Sequence, residues 1–234
     1  YEKFEGYLKT MGLNTEKQGN QLQLKPLVDK DVLDLSNGHV TDPGRMFRGK
    51  DMKAEKGGIF DEKIFGSLHP EHAAQQSWGH MTLDIALPNP MFENAISSLL
   101  DLKKGELDSV IGHEKTIGTG TGSGAVQKAL QKIDVDKELE KTLGELKGAR
   151  KYKLSKLRRR VRYLQALKET GMSPDEAYMR KHIPIMPPKF RPVSVLDSGA
   201  TTSADVNQLY RGLSLTNQKL QDFDEGLPES QKVP

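Results

Sequence analysis

Cysteine is absent from the 234 residues of the chain, and so is any long hydrophobic run. Without thiols the chain can form no disulfide, and any metal site would have to be built without thiolate ligands. No apolar segment approaches the length that spans a membrane, and no signal peptide is visible at the start. Because the first residue is Tyr1 rather than Met, we expect a processed chain or a piece of a longer one.

Apolar residues are also scarce, at 35% of the chain, whereas charged residues make up 29%. The length suffices for one large or two small domains, but the apolar content is low for a self-sufficient globule. We therefore expect an extended subunit that needs partners. The net charge is only +3, which excludes a strongly basic nucleic-acid binder as a whole. The distribution of charge along the chain is then the informative property.

Patterns typical of an active site are missing or incomplete. No Asp-x-Asp-x-Asp cluster is present to hold catalytic magnesium through oxygen ligands. The glycine-rich stretch 117–125 lacks the Lys-Ser or Lys-Thr pair of a Walker loop and the spacing of a dinucleotide fingerprint, so we interpret it as a flexible linker. His69, His72 and His80 suggest a metal site, but no supporting ligand pattern accompanies them, and we reject that interpretation. We predict no catalytic residue, metal or cofactor in this chain.

Hydrophobic periodicity predicts short strands and helices. A short helix is predicted over 92–102, and another begins at the start signal of Ser173. Alternation over 81–90 predicts a strand with a single apolar face. That face would carry Met81, Leu83, Ile85 and Leu87.

A basic run lies in a long helical region predicted over 125–170, with a break near 148–151. Its charges surround most of the helix and leave one apolar stripe for packing. We predict that Arg158, Arg159 and Arg160 contact nucleic-acid phosphates, which would make binding steeply salt-dependent. The alternative is a solvated face that is balanced by the acidic stretch 134–145. The run consists of Lys147, Arg150, Lys151, Lys153, Lys156, Arg158, Arg159, Arg160 and Arg162.

The segment Met186–Arg211 is the most distinctive part of the sequence. Its Pro-Pro pair cannot lie inside a helix, so the chain is predicted to run extended there. A small-residue loop at Asp197-Ser198-Gly199 follows, and residues 202–205 then give the start signal of a final helix over 203–223. An extended arm, an exposed loop and a helix form a shape that reaches into another structure.

The motifs PP-x-x-RP, LD-x-G and D-x-N-x-LYR follow one another in this segment. The segment resembles the lid and the start of the clamp coiled coil in the β′ (largest) subunit of multisubunit DNA-directed RNA polymerases. Four further elements are similar to β′ motifs and occur in the same order. They are GGIFDEKIFG at 57–66, GHMTLDIALP at 79–88, GAVQKAL at 124–130 with the charged helices after it, and HIPIMPP at 182–188.

The resemblance implies an α+β, mainly α fold: an elongated, irregular clamp and lid segment with short strands. It also implies a long basic helical hairpin and the first arm of a coiled coil. The implied divisions are an amino-terminal segment 1–26, a clamp base 27–116, a clamp helical hairpin 117–183, a lid 184–204, the first coiled-coil arm 205–223 and a disordered tail 224–234.

The function implied is that of a non-catalytic clamp and lid within a nucleotidyltransferase. Such a part helps to hold DNA and the RNA–DNA hybrid, separates nascent RNA from the template and docks a sigma-like initiation factor. Its partners would be the rest of β′, β-like subunits, template, transcript and that factor, without a membrane, and magnesium would lie on the partner with the catalytic loop. Nucleic-acid contacts are expected at Lys189, Arg191, Asp197, Ser198, Thr201 and Thr202, besides Arg158, Arg159 and Arg160. Docking of the factor is expected at Asn207, Tyr210, Arg211 and Asn217.

The chain also departs from the β′ pattern. Only Ser67–Trp78, without cysteine, stands where cellular β′ subunits carry a four-cysteine zinc ribbon, and Ala200-Thr201 replaces the Arg-Phe pair of the lid. The second arm, the rudder and the magnesium loop do not appear before Pro234. These departures predict a divergent, split polymerase of a large bacterial virus, working in the cytoplasm of the infected host or packaged in the virion. One alternative is a free-standing clamp mimic that sequesters an initiation factor, and another is a simple basic helical protein that binds RNA or DNA.

Overall fold

The computed structural model describes residues 25–42, 46–49, 53–103, 105–118, 120–195 and 201–226. The fold is α+β and mainly α, as predicted. The predictions for residues 1–24 and 227–234 lie outside the described residues. None of the helices in the described parts of the chain is long and apolar enough to cross a membrane.

The described elements follow in chain order. The strands are β1 (Ser36–His39), β2 (Phe47–Arg48), β3 (Lys53–Ala54), β4 (Trp78–Pro88), β5 (Met179–Ile185), β6 (Val193–Val195) and β7 (Thr201–Ser203). The α-helices are α1 (Asp29–Leu35), α2 (Glu62–Phe65), α3 (Glu93–Leu99), α4 (Glu106–Ile111), α5 (Gly122–Gln131), α6 (Val135–Lys147), α7 (Lys151–Thr170), α8 (Pro174–Tyr178) and α9 (Asp205–Gly226). Short 3-10 helices cover Pro70–Gln75, Pro90–Phe92 and Pro188–Phe190.

Strand β4 is the centre of a three-stranded sheet in which it runs parallel to β1 and antiparallel to β5. The predicted strand is confirmed, but its predicted single apolar face is wrong. Met81 and Leu83 are buried, whereas Ile85 and Leu87 are 45% and 39% exposed. The register between β4 and β5 shifts here, because residues 83–86 of β4 lie opposite the single residue Lys181 of β5. Such a bulge interrupts the alternation of side chains between the two faces of a strand.

Two hydrophobic clusters hold the described residues together. The first is mainly helical and receives Val161, Leu164 and Leu167 from α7. The second lies around the sheet and α2, and it joins residues that are far apart in sequence. The buried members of this sheet cluster are Val40, Ile59, Phe60, Ile64, Phe65, Met81, Leu83 and Ile185.

The helical region predicted over 125–170 consists of three helices. The predicted break is confirmed, since α6 ends at Lys147 and α7 begins at Lys151. A second break, between α5 and α6, is not predicted. It is stabilised where the Asp134 carboxylate accepts a hydrogen bond from the backbone N–H of Lys137 at 3.2 Å and so caps the new helix. The glycine-rich stretch predicted to be a linker partly belongs to α5, which begins at Gly122.

The extended arm is also more regular than predicted. Strands β6 and β7 pair antiparallel, with Val193 opposite Ser203, and residues 196–200 between them lie outside the described residues. Helix α9 continues to Gly226, three residues beyond the end predicted for the final helix. The β6–β7 ribbon and α9 are therefore consecutive elements joined by Ala204.

Candidate nucleic-acid and partner surfaces

Arg191 lies at the base of the β6–β7 ribbon and is completely buried, with 0% exposure. Its Nε atom donates to the carbonyl oxygen of Met186 at 2.7 Å, and its Nη1 atom donates to Asn207 Oδ1 at 3.1 Å. A third donor, Nη2, bonds the carbonyl oxygen of Ile59. The structure does not support the predicted nucleic-acid contact of Arg191, because its side chain points into the protein and binds backbone and amide oxygens.

Three of the four predicted docking residues on α9 also face the protein itself. Asn207 is buried against Arg191, and the Tyr210 hydroxyl donates to the carbonyl oxygen of Pro184 at 3.2 Å. The Asn217 side chain accepts from the N–H of Asp84 at 2.7 Å and donates to the carbonyl oxygen of Thr82 at 3.1 Å. The pairing of β4 with β1 ends at His80. Beyond that residue, the Asn217 amide binds the edge of β4 in the way that a neighbouring strand would. These contacts fix α9 to the sheet, and they do not support factor docking by these three side chains.

The other face of α9 is exposed. Leu209 is 72% exposed and Leu220 is 42% exposed, although both are large apolar residues. Leu209, Leu213, Thr216 and Leu220 are separated by four, three and four residues, and of these Leu213 packs partly against the sheet cluster. This spacing is that of the seam of a coiled coil, in which apolar positions recur every three and four residues. Arg211, the fourth predicted docking residue, is partly exposed.

The three central arginines of α7 are divided between solvent and interior. Arg158 and Arg159 are exposed, which a phosphate contact would require, and their contact with nucleic acid stays a prediction. Arg160 lies inward, with only 15% of its side chain exposed, and its Nη2 atom is 2.7 Å from a carboxylate oxygen of Glu138. Its Nη1 atom donates to the carbonyl oxygen of Ser98 at 2.9 Å. The structure does not support a phosphate contact by Arg160, because both of its Nη atoms bind this protein and its Nε atom is buried.

Lys189, Thr201 and Thr202 are the remaining predicted contact residues that the structure describes. Lys189 is exposed, and its Nζ atom is 5.2 Å from the centroid of the Phe190 ring. Its backbone N–H donates to Gln76 Oε1 at 2.7 Å, which fixes the short 3-10 helix against the neighbouring turn. Thr202 is exposed on β7, and Thr201 belongs to the same strand. Asp197 and Ser198 lie outside the described residues.

Comparison with known proteins identifies RNA polymerase subunits that are similar to this chain. No protein-family model matches the chain. A DNA-directed RNA polymerase subunit β′ of Mycoplasma capricolum is 28% identical over 212 residues, which is 89% of this chain and 15% of that protein. Homologues of this chain are RNA polymerase β′ subunits. The β′ subunit of Bordetella avium is 36% identical over 100 residues, or 42% of this chain and 7% of that subunit.

A further relative carries a different subunit name. The DNA-directed RNA polymerase subunit gamma of Gloeothece citriformis is 34% identical over 109 residues, covering 47% of this chain and 17% of the relative. The chain thus spans less than a fifth of the length of each of these three relatives. These relatives confirm the predicted resemblance of the chain to the β′ subunit. The viral origin and the split gene stay predictions.

Three histidines that are far apart in the sequence meet on the three-stranded sheet. The rings of His39 and His80 stack with their centroids 5.1 Å apart, and His182 packs edge-on against His80 at 5.7 Å. His39 Nε2 accepts a hydrogen bond from the backbone N–H of Thr82 at 3.3 Å, which requires that nitrogen to be unprotonated. Among the described residues no group of three or more His, Asp or Glu is arranged to hold a metal ion. The three histidines lie on β1, β4 and β5, so the cluster could be predicted only by knowing how these strands pair.

The surroundings of this cluster disfavour positive charge. Burial lowers the pKa of His39 below its usual 6.5, and the neighbouring His182 lowers it further. Burial also lowers the pKa of His80, with contributions from His39 and His182. Both pKa values are thus lower in the folded than in the unfolded chain. Since the unfolded chain takes up protons first, stability is full above about pH 7 and is lost as the pH falls through the folded pKa values.

We expect replacement of His39 by Gln to flatten the dependence of stability on pH. The free energy of unfolding of the unmodified chain should fall between about pH 7 and pH 5, and less so in His39→Gln. Urea unfolding followed by circular dichroism at several pH values measures this. The matched control is His72→Gln, on the exposed 3-10 helix Pro70–Gln75. Equal pH dependence in the His39→Gln and unmodified proteins would contradict the prediction.

Proposed function

We propose that this chain is a non-catalytic clamp and lid portion of the β′ subunit of a DNA-directed RNA polymerase. The observation that carries the proposal is the direct succession of the β6–β7 ribbon and α9 in a chain whose homologues are β′ subunits. In this proposal the ribbon and its loop are the lid, which parts nascent RNA from the template, and α9 is the first arm of the clamp coiled coil. The activity of the enzyme depends on residues elsewhere in the assembly.

Nucleic acid is proposed to meet the chain at two places. One is the exposed face of α7, where Arg158 and Arg159 can approach phosphates while Val161, Leu164 and Leu167 hold the opposite face in the helical cluster. The other is the ribbon with Lys189 at its base. Arginine and lysine give sequence-independent attraction to phosphates, which suits a clamp that must hold any template.

A helical partner is proposed to cover the exposed seam of α9. Leu209, Thr216 and Leu220 lie outside the contacts that α9 makes with its own sheet. The second arm of the coiled coil is the occupant that we propose, and the sigma-like factor would dock on the completed pair. This replaces the predicted docking role of Asn207, Tyr210 and Asn217 with a role in holding the arm in place.

The polymerase is proposed to be a divergent one whose catalytic magnesium loop lies on another polypeptide, as in split enzymes of large bacterial viruses. Two features support a divergent version. The 3-10 helix Pro70–Gln75 takes the short path from α2 to β4 where cellular β′ subunits carry the zinc ribbon. In addition, Ala200-Thr201 stands where the lid of the family has its Arg-Phe pair.

Purification from the native source under mild conditions tests the proposed function. The expected result is a stoichiometric complex that contains this chain, β-like subunits and a polypeptide with an Asp-x-Asp-x-Asp loop, and that extends RNA on a DNA template. Mass spectrometry of the complex and a transcription assay provide the measurements. Recovery of this chain with an initiation factor alone would instead support a free-standing clamp mimic. Recovery of the chain with neither would reject both.

A further inference from the structure

Arg191 is a buried cation that lies among backbone and amide oxygens and aromatic rings. Among the described residues, no carboxylate forms an ion pair with it. Its guanidinium carbon instead lies 4.5 Å from the ring centroid of Phe60 and 4.8 Å from that of Phe65, with Tyr210 at 6.0 Å. Burial lowers the pKa of Arg191 to about 10, so the group stays charged at neutral pH. A charge in such surroundings is costly, and an apolar side chain of similar volume would often be no less stable there.

The donors of Arg191 reach three separate parts of the chain. The carbonyl of Ile59 belongs to the segment before α2, that of Met186 follows β5, and Asn207 lies in the first turn of α9. The Asn207 side chain also donates back to the carbonyl oxygen of Arg191 at 3.0 Å, which closes a reciprocal pair. An apolar side chain would fill the same volume without any of these directional bonds, and lysine lacks the planar fork that makes them together.

This network lies where the ribbon and α9 leave the sheet. Arg191 precedes Pro192 and β6, and the backbone N–H of Ala204, just after β7, donates to the carbonyl oxygen of Pro192 at 3.2 Å. The chain therefore enters the ribbon beside the point at which it leaves. Strand β6 begins two residues after Arg191, and α9 begins two residues before Asn207, which binds the Arg191 guanidinium.

We infer that Arg191 is a positioning residue that sets the direction of the β6–β7 ribbon and of α9 relative to the sheet cluster. This inference rests on the proposed function for its meaning, because lid and coiled-coil arm must hold a common orientation in a clamp. The hydrogen bonds of Arg191 themselves all lie within this chain. Burial of the Arg191 charge costs stability. In return, its three hydrogen-bond donors fix the direction of the ribbon and of α9, which apolar packing alone does not do.

Distances between spin labels test the inference, and the absence of cysteine makes the labelling specific. Cysteines introduced at Lys63 and Ser194 report the ribbon, and cysteines at Lys63 and Lys219 report α9, since all three positions are exposed. The full chain is labelled before any partner is added. In Arg191→Met and Arg191→Lys, the distance distribution of both pairs should broaden about twofold, because one arrangement is replaced by several.

Two comparisons separate positioning from a general loss of structure. A pair at Lys132 and Lys153, in the helical part, should keep its width in every variant. Lys189→Met, which removes an exposed cation two residues away, should keep the width of the ribbon and α9 pairs. If Arg191→Met does not fold, Asn207→Leu removes one acceptor of the same network and should broaden the same two distributions.

Unchanged widths of the ribbon and α9 pairs in folded Arg191→Lys and Asn207→Leu would overturn the inference. Equal broadening of the Lys132–Lys153 pair would overturn it as well, because Arg191 would then act on the whole fold. Neither result depends on polymerase partners. The inference can therefore fail while the proposed function stands, and the proposed function can fail in the purification while the inference stands.

Discussion

Replacement of Gly79 by alanine is expected to destabilise the chain by about 1–3 kcal/mol, as insertion of a methyl group into a filled core does. A Cβ atom at Gly79 would lie 2.7 Å from two carbon atoms of the Phe65 ring and 2.8 Å from Ile64 Cγ2. Phe65 is completely buried, so its ring has little room to move away. Gly79 does not have a positive φ, and the expected cost therefore comes from crowding and not from backbone strain. Urea unfolding of the two proteins measures it.

Gly144 offers a matched control with the opposite sign. It lies on the exposed side of α6, and a Cβ atom there would meet nothing within 4 Å. Gly144→Ala should stabilise the chain by up to about 1 kcal/mol, since alanine is the better helix former. The double variant Gly79→Ala, Phe65→Leu should recover part of the stability lost in Gly79→Ala. A Gly79→Ala protein as stable as the unmodified chain would contradict the packing of Phe65 against β4.

Local signals account for the parts of the fold that the sequence predicts. The break before α7 follows from glycine at 144 and 148, and α8 begins where the Ser173 hydroxyl accepts the N–H of Glu176. Gly171 ends α7 with a φ of 68°, a conformation that glycine adopts readily. Each of these signals acts within a few residues of the feature that it predicts.

The corrections come from contacts between distant residues. The sequence shows that Arg191 and Asn217 are polar. It does not show that the carbonyl oxygen of Ile59 lies beside Arg191, or that the edge of β4 lies beside Asn217. The bulge that exposes Ile85 depends on how β4 pairs with β5. Arg160 differs from Arg159 only in the side of α7 on which it lies. The apolar stripe of α7 could have suggested that difference, because Arg160 is next to buried Val161 and three residues from Leu157.

Because Arg158 and Arg159 of α7 are exposed and Arg160 points inward, their replacements are expected to have different effects. Reversing the charge of Arg158 and Arg159 to Glu should weaken template binding by the complete polymerase assembly and leave the fold intact, because both side chains are exposed. If each arginine contacts one phosphate, the slope of log affinity against log salt should become shallower by about 2. Fluorescence anisotropy with labelled DNA across a series of salt concentrations measures both the affinity and the slope.

Arg160→Ala is the matched variant on the same helix. It removes the contact with Glu138 and leaves the carbonyl oxygens of Ser98 and Leu99 without this donor, so it should destabilise the fold by about 1–3 kcal/mol. Because Arg160 points inward, the salt slope of template binding by the folded Arg160→Ala assembly should stay unchanged. An unchanged slope in the Arg158, Arg159 variant would remove α7 from the nucleic-acid surface. A slope that also changes in Arg160→Ala would show that the fold of α7, and not its exposed charge, controls binding.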